Sequence, residues 1–290
     1  MTPDVPPQAD DLQRHAAQQQ WLGRKGAPRI ADIAPELLQA LNRGWVPTVN
    51  LVEFLAIDLS ALTRQVAQDI GLDPQSERLQ DMLAMLPFLK PMQRHGAIAR
   101  ALYAQTAALT APQQRDRVAN GLACHTSDMA RSWAANWLAF SGQSLADKLG
   151  AVQRFAADPH FGVREMAWAA LRNDVIAELD QALHLLQAWV TQDDPLLRRF
   201  ASEITRPRGV WCAQIDVLKQ APWKGEPLLT PLRSDPSRYV QDSVANWLND
   251  ASKSQPAWVQ DVCARWSRSS DSAATRYVVQ RALRTLRKQG

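Results

Sequence analysis

The densest chemistry in this 290-residue chain lies between Leu196 and Trp211, where Arg198, Arg199, Arg206 and Arg208 surround a single acid, Glu203. A second basic run begins near Asp261. There Arg265, Arg268, Arg276, Arg281, Arg284, Arg287 and Lys288 face only Asp261 and Asp271. Local cation excess suits a polyanion, because each arginine that neutralises a phosphate releases condensed counterions. The plainer alternative is a set of solvated helix faces, with Glu203 an ion-pair partner for Arg199 or Arg206 and Trp211 a packed indole. A net charge of +4 and a pI near 9.1 do not choose between them, since many soluble proteins share such values.

Other reactive groups are sparse. The five histidines include no pair at i+3 or i+4, so no zinc or iron site is expected. Cys124, Cys212 and Cys263 are odd in number, far apart and set among apolar residues, as reduced core cysteines would be. No metal, disulfide or cofactor is expected. Charges and amides interrupt every leucine-rich segment before the run of about 20 apolar residues that a membrane helix needs. The N-terminus lacks the basic start and apolar run of an export signal, so a cytoplasmic location is expected.

These groups must be positioned by helices. Strand alternation is not sustained and no Asn-Gly or Asp-Gly hairpin turn occurs. Thr48 to Val66 reads as one helix with Leu51, Phe54, Leu55, Leu59, Leu62 and Val66 on an apolar stripe. Farther on, a unit recurs in which a turn rich in Asp, Ser or Pro precedes an apolar-periodic helix. Ser127-Asp128, Asp158-Pro159, Asp194-Pro195, Asp235-Pro236 and Ser270-Asp271 are those turns. Equating Ala130, Val163, Leu197, Val240 and Val278 gives intervals of 33, 34, 43 and 38 residues. Such periods belong to two-helix repeats, which bury a core only by stacking. The long interval reflects an inserted linker over Ser202 to Pro222. The expected fold is all-α, an α-solenoid of HEAT-like repeats over residues 29–290, with residues 1–28 a partly flexible tail.

The segments LLRRFASEITRPRGVW and DPSRYVQDSVANWLNDASKSQPAWV resemble the bacterial DNA alkylation repair glycosylases of the HEAT-like repeat superfamily, the AlkC branch rather than AlkD. The corresponding family stretches read approximately RRLxSEGxRPRLPW and YVRxSVANxLNDIxKxxP. ALNRGWVPTVNLVEFLAIDL is also similar to the family's N-terminal region, so the resemblance covers most of residues 36–266. It implies release of cationic N3- or N7-alkylated purines from duplex DNA through a sugar oxocarbenium ion. That reaction needs an anion beside C1′, an oriented water and an electron-rich surface. Glu203 and Trp211 match the family's Glu and Trp. A second family carboxylate, in a segment reading EFAxRPF, is replaced by His160, and a cationic histidine would oppose the positive transition state. Glu165 follows, but on a helix it points well away from that position.

The resemblance implies a basic concave groove tracking duplex backbone, without sequence readout, as a monomer. Arg164, Arg198, Arg199 and Arg238 stand near repeat-helix starts, where N-termini also attract phosphate. Arg206 and Arg208 join them, with Arg131 and Lys253 as weaker members. Asn246, Asn249 and Asp250 are read as structural, the last two ending a helix and capping the next. Two alternatives stay open: a non-catalytic DNA-binding relative, and a protein-binding HEAT-repeat scaffold. Arg164, Arg198 and Arg199 buried in ion pairs would favour the scaffold.

Overall fold

The computed structural model describes residues 9–209 and 212–288. Among them are seventeen α-helices and no strand. The helices of the first half are α1 (Ala9–Gln20), α2 (Pro35–Asn42), α3 (Leu51–Ala56), α4 (Leu59–Asp69), α5 (Glu77–Met85), α6 (Pro91–Ala107), α7 (Pro112–Ala123) and α8 (Asp128–Trp137). Those of the second half are α9 (Leu145–Ala156), α10 (Phe161–Ala177), α11 (Leu179–Leu186), α12 (Pro195–Ile204), α13 (Asp216–Gln220), α14 (Glu226–Leu229), α15 (Arg238–Ser252), α16 (Pro256–Ser269) and α17 (Ala273–Ala282). The chain divides between Phe140 and Ser141 into two compact units. No helix among the described residues is long and apolar enough to cross a membrane.

In the first unit, the apolar stripe over Thr48 to Val66 is broken into α3 and α4. Ile57 is extended, and Asp58 caps α4 by accepting the N–H groups of Ser60 and Ala61. A cap that satisfies two orphan donors outweighs the continuity of the stripe, and Leu51 and Leu55 are left exposed. Within residues 1–28, Arg14 reaches Asp69 at 3.3 Å and Gln18 donates to the Trp45 carbonyl at 3.2 Å. Ala9–Gln20 form α1, and Arg24 then meets the fully buried Glu53 at 2.6 Å. The core of this unit includes Leu41, Leu62, Ile98, Leu102, Leu122, Met129 and Trp133, all sealed from solvent.

The second unit is built of stacked helix pairs. Helices α10, α12, α15 and α17 pack side by side in that order, with α9, α11 and α16 behind them. The starts of α10, α12, α15 and α17 share one device with that of α8 in the first unit. Ser127, His160, Asp194, Ser237 and Ser272 are the N-caps of α8, α10, α12, α15 and α17. Four residues after each cap stands a long donor that reaches back to the preceding turn. Arg131 Nη1 donates to the His125 and Thr126 carbonyls at 2.7 and 2.9 Å. Arg164 Nη1 does so to Asp158 and Pro159 at 2.7 and 2.9 Å, and Arg198 Nη1 to Gln192 and Asp193 at 2.7 and 2.8 Å. Gln241 Nε2 donates to the Asp235 carbonyl at 2.7 Å, and Arg276 Nη1 to that of Asp271.

This device corrects the repeat register. Thr275, not Val278, is equivalent to Ala130, Val163, Leu197 and Val240, so the last interval is 35 residues rather than 38. The 43-residue interval is longer because α13, α14 and three-residue to four-residue helical turns fill the space after α12. Gly225 lies there against Trp247, whose ring carbon would stand 2.5 Å from any added Cβ.

Candidate functional site

Glu203 lies on the last turn of α12 and is buried. Both of its oxygens are engaged. Oε1 accepts from Arg206 Nη1 at 2.7 Å; Oε2 accepts from Ser243 Oγ at 2.7 Å and lies 3.4 Å from Arg199 Nη2. Ser202 Oγ donates to Ser243 Oγ at 2.8 Å, tying α12 to α15 at the same point. Burial alone would push the Glu203 carboxyl up. Arg199 and Arg206, with the Ser243 hydroxyl, outweigh it and hold the group below its ordinary 4.5, so it is an anion at neutral pH.

The pairing continues in both directions as an alternating chain. Arg206 Nη2 and Nε meet Asp250 Oδ2 at 2.8 and 2.9 Å, and Lys253 Nζ lies 3.4 Å from Asp250 Oδ1. On the other side, Arg199 Nη2 meets Glu165 Oε1 at 2.7 Å. Trp168 Nε1 donates to Glu165 Oε2 at 2.9 Å, and the Tyr239 hydroxyl is 3.5 Å from Oε1. Tyr239 lies beside two guanidiniums, those of Arg199 at 4.7 Å and Arg164 at 5.2 Å from the ring centre. Asp250 is therefore corrected from a helix cap to the second anion of this network, and α15 runs past it to Ser252. Asn249 donates to the Ala282 carbonyl and Thr285 rather than capping. The i+4 and i+3 spacing of Arg199, Glu203 and Arg206 was readable from sequence. Tyr239, Ser243 and Asp250 lie in the segment DPSRYVQDSVANWLND singled out above, but no spacing links them to Glu203, and none singles out the buried Arg172, which holds the carbonyls of Ile204, Arg206 and Ala213.

The other expected site residues are dispersed in role. His160 is the N-cap of α10: its Nδ1 accepts from Gly162 N–H at 3.1 Å, and its ring lies 4.7 Å from that of Phe161. Trp211 lies outside the described residues. Arg198 is bound bidentately by Asp235 at 2.6 and 3.1 Å, and Arg199 is buried between Glu165 and Glu203. These two meet the condition set for a scaffold, whereas Arg164 bonds carbonyls and Tyr239. Arg208 donates to Ser254 Oγ at 2.6 Å. Arg238 is exposed and sits 3.5 Å over the Tyr277 ring. Arg131 belongs to the first unit, where it clamps its own turn.

Comparison with known proteins adds to this geometry. No family model matches the chain. It is 36% identical over 121 residues to the uncharacterized protein YhaZ of Bacillus subtilis (strain 168), a match covering 42% of this chain and 33% of that one. Among solved structures it is similar to the Pseudomonas fluorescens alkylpurine DNA glycosylase AlkC bound to DNA containing an abasic site analog. The TM-score is 0.65 at 25% identity, over 91% of this chain and 66% of that one. AlkD2 from Streptococcus mutans matches with a TM-score of 0.54 at 19% identity, over 71% of this chain and 98% of that one. The chain thus spans about a third of YhaZ and just under two thirds of AlkC. Its fold is that of the AlkC/AlkD-like superfamily, with the two branches not separated by these matches.

Proposed function

We propose that this chain is a monomeric, cytoplasmic DNA repair glycosylase that holds alkylated duplex DNA and hydrolyses the N-glycosidic bond of N3- or N7-alkylpurines. The observation that supports it is a carboxylate, Glu203, kept ionised by Arg199 and Arg206 within a fold shared with an alkylpurine DNA glycosylase. In this reaction the C1′–N bond breaks and its electron pair returns to the cationic base, which leaves neutral without needing an acid. Water oxygen bonds to C1′, and a carboxylate takes the water proton. A fixed anion near C1′ favours this path because positive charge grows there. Glu203, Trp211 and His160 are the proposed site, and Arg164, Arg206, Arg208, Arg238 and Lys253 the proposed phosphate-side cations. Arg131, Arg198 and Arg199 act at most indirectly, through the turns and ion pairs they already hold.

A second reading has its own support. With both Glu203 oxygens engaged and His160 occupied as a helix cap, the chain binds damaged duplex without turnover. Single-turnover release of 3-methyladenine from alkylated duplex decides between them, with circular dichroism as the folding control. Release by the wild type that is lost in a folded Glu203→Gln variant supports the enzyme. Tight duplex binding with no release supports the second reading.

A further inference from the structure

The first unit holds a cleft of about 420 Å³, within the range of about 300–1,000 Å³ common to small-molecule sites. Phe54, Leu55, Ile57, Leu86, Pro87 and Pro91 give it apolar walls. His95, on α6, lines it as well and is only 3% exposed. Its Nδ1 accepts the Trp133 indole N–H at 3.2 Å, and an indole nitrogen can only donate, so the neutral ring carries its proton on Nε2. Burial, which pushes His95 down to about 4, keeps that ring uncharged at neutral pH. Among the described residues nothing accepts from Nε2, although buried polar groups are nearly always paired. A donor set in an apolar wall calls for an acceptor. The Phe54 ring lies over that of His95, centroids 5.2 Å apart and planes 29° from parallel, so the same wall is aromatic. The two charged residues of the lining, Asp58 and Arg94, are of opposite sign and already engaged. Asp58 caps α4, and Arg94 Nε donates to the Leu89 carbonyl at 3.0 Å. The lining therefore favours no net charge in what it holds.

We propose that this cleft binds a small, neutral aromatic molecule through one carbonyl oxygen, which accepts from His95 Nε2 while the ring packs against Phe54, Ile57 and Leu86. Trp133 fixes which nitrogen of His95 donates. The site belongs to the first unit and does not depend on the DNA-handling reading above.

The test is equilibrium binding of the full chain to acetophenone and to ethylbenzene, which match in shape and differ in the carbonyl, with benzoate as the charged comparison. Acetophenone should bind about tenfold more tightly than ethylbenzene, the scale of one hydrogen bond to a buried donor. It should also shift the Trp133 indole N–H resonance, assigned by its loss in Trp133→Phe. His95→Phe should remove the preference for acetophenone. His95→Gln, which offers an acceptor to Trp133 and an N–H to the cleft, should keep part of it. If circular dichroism shows His95→Phe unfolded, Leu55→Trp decides, because Leu55 is an exposed residue of the lining and a larger ring there should weaken acetophenone severalfold. Equal binding of acetophenone and ethylbenzene overturns the proposal, and so does tighter binding of benzoate. Unchanged acetophenone binding in a folded His95→Phe or Leu55→Trp variant places the ligand elsewhere and overturns the site. Absence of saturable acetophenone binding overturns it as well.

Discussion

At the residue scale, Glu203 has two duties that a single substitution will separate poorly. Glu203→Gln keeps the shape but leaves Arg199 and Arg206 facing a neutral amide in a buried setting. Loss of one member of a buried ionic network costs about 3–5 kcal/mol, so this variant should fold with a clearly lower urea midpoint. Spacing alone shows the arginines nearby but not the burial that makes the change costly. Acid should reveal the same coupling. The folded-state pKa lies below the ordinary 4.5, so the contribution of Glu203 is complete above about pH 4.5 and is lost as pH falls through the lower folded value. Denaturation midpoints that fall equally in wild type and Glu203→Gln over that range would remove Glu203 from the acid response. His160 was legible as a departure from the glycosylase pattern, yet its use as an N-cap was not. Asp158, in the turn before it, accepts the His160 N–H at 2.8 Å.

At the element scale, the recurrence of arginine at repeat-helix starts was legible, and its cause was not. Recurrence suggested phosphate contacts; the structure gives each of Arg131, Arg164 and Arg198 a pair of loop carbonyls five and six residues back. In these three repeats a turn that exposes two carbonyls selects a long cationic donor whatever the ligand, and at α15 the neutral Gln241 serves a single carbonyl. The repeat register slipped by three residues at α17 for a related reason. Thr275 and Val278 are both buried, lie on the same face of one helix, and cannot be told apart by apolar periodicity. Only the N-cap at Ser272 and the reach of Arg276 fix the register. Arg131→Ala should therefore lower stability by on the order of 2 kcal/mol in urea titrations, the scale of charge-assisted hydrogen bonds, without altering the salt dependence of DNA binding. If stability is unchanged while the salt slope falls by about one phosphate contact, the clamp is incidental and the arginine serves DNA.

At the scale of the whole molecule, helical class was readable because periodicity and missing strand signals agree along the entire chain. The division between Phe140 and Ser141 was not, since LAFSGQS carries no proline. Its local marks are Gly142 at a φ of 67° and the Ser144 cap of α9. The two units should answer acid differently. In the first, burial pushes His95 from 6.5 down to about 4, and its Nδ1 accepts the Trp133 indole N–H at 3.2 Å. Because the unfolded chain takes up the proton first, that stability is complete above pH 6.5 and is lost progressively toward pH 4, roughly 3 kcal/mol in all. His95→Gln, which keeps an acceptor for Trp133, should flatten the loss; an unchanged pH profile of tryptophan fluorescence would count against His95. Function tests the second unit. With Arg198 and Arg199 committed to carboxylates, duplex binding must draw on cations that retain solvent access, such as Arg238, Lys253 and Arg208. If about four such residues meet phosphates, log K should fall with log salt at a slope of roughly −4, alike for unrelated sequences. Arg238→Glu should weaken every duplex equally and reduce that slope by about one, because the lost contact carries no base information. Filter binding across a salt series measures both. A slope near zero would leave the protein-scaffold reading in possession, since a surface that releases no counterions is not gripping a duplex backbone.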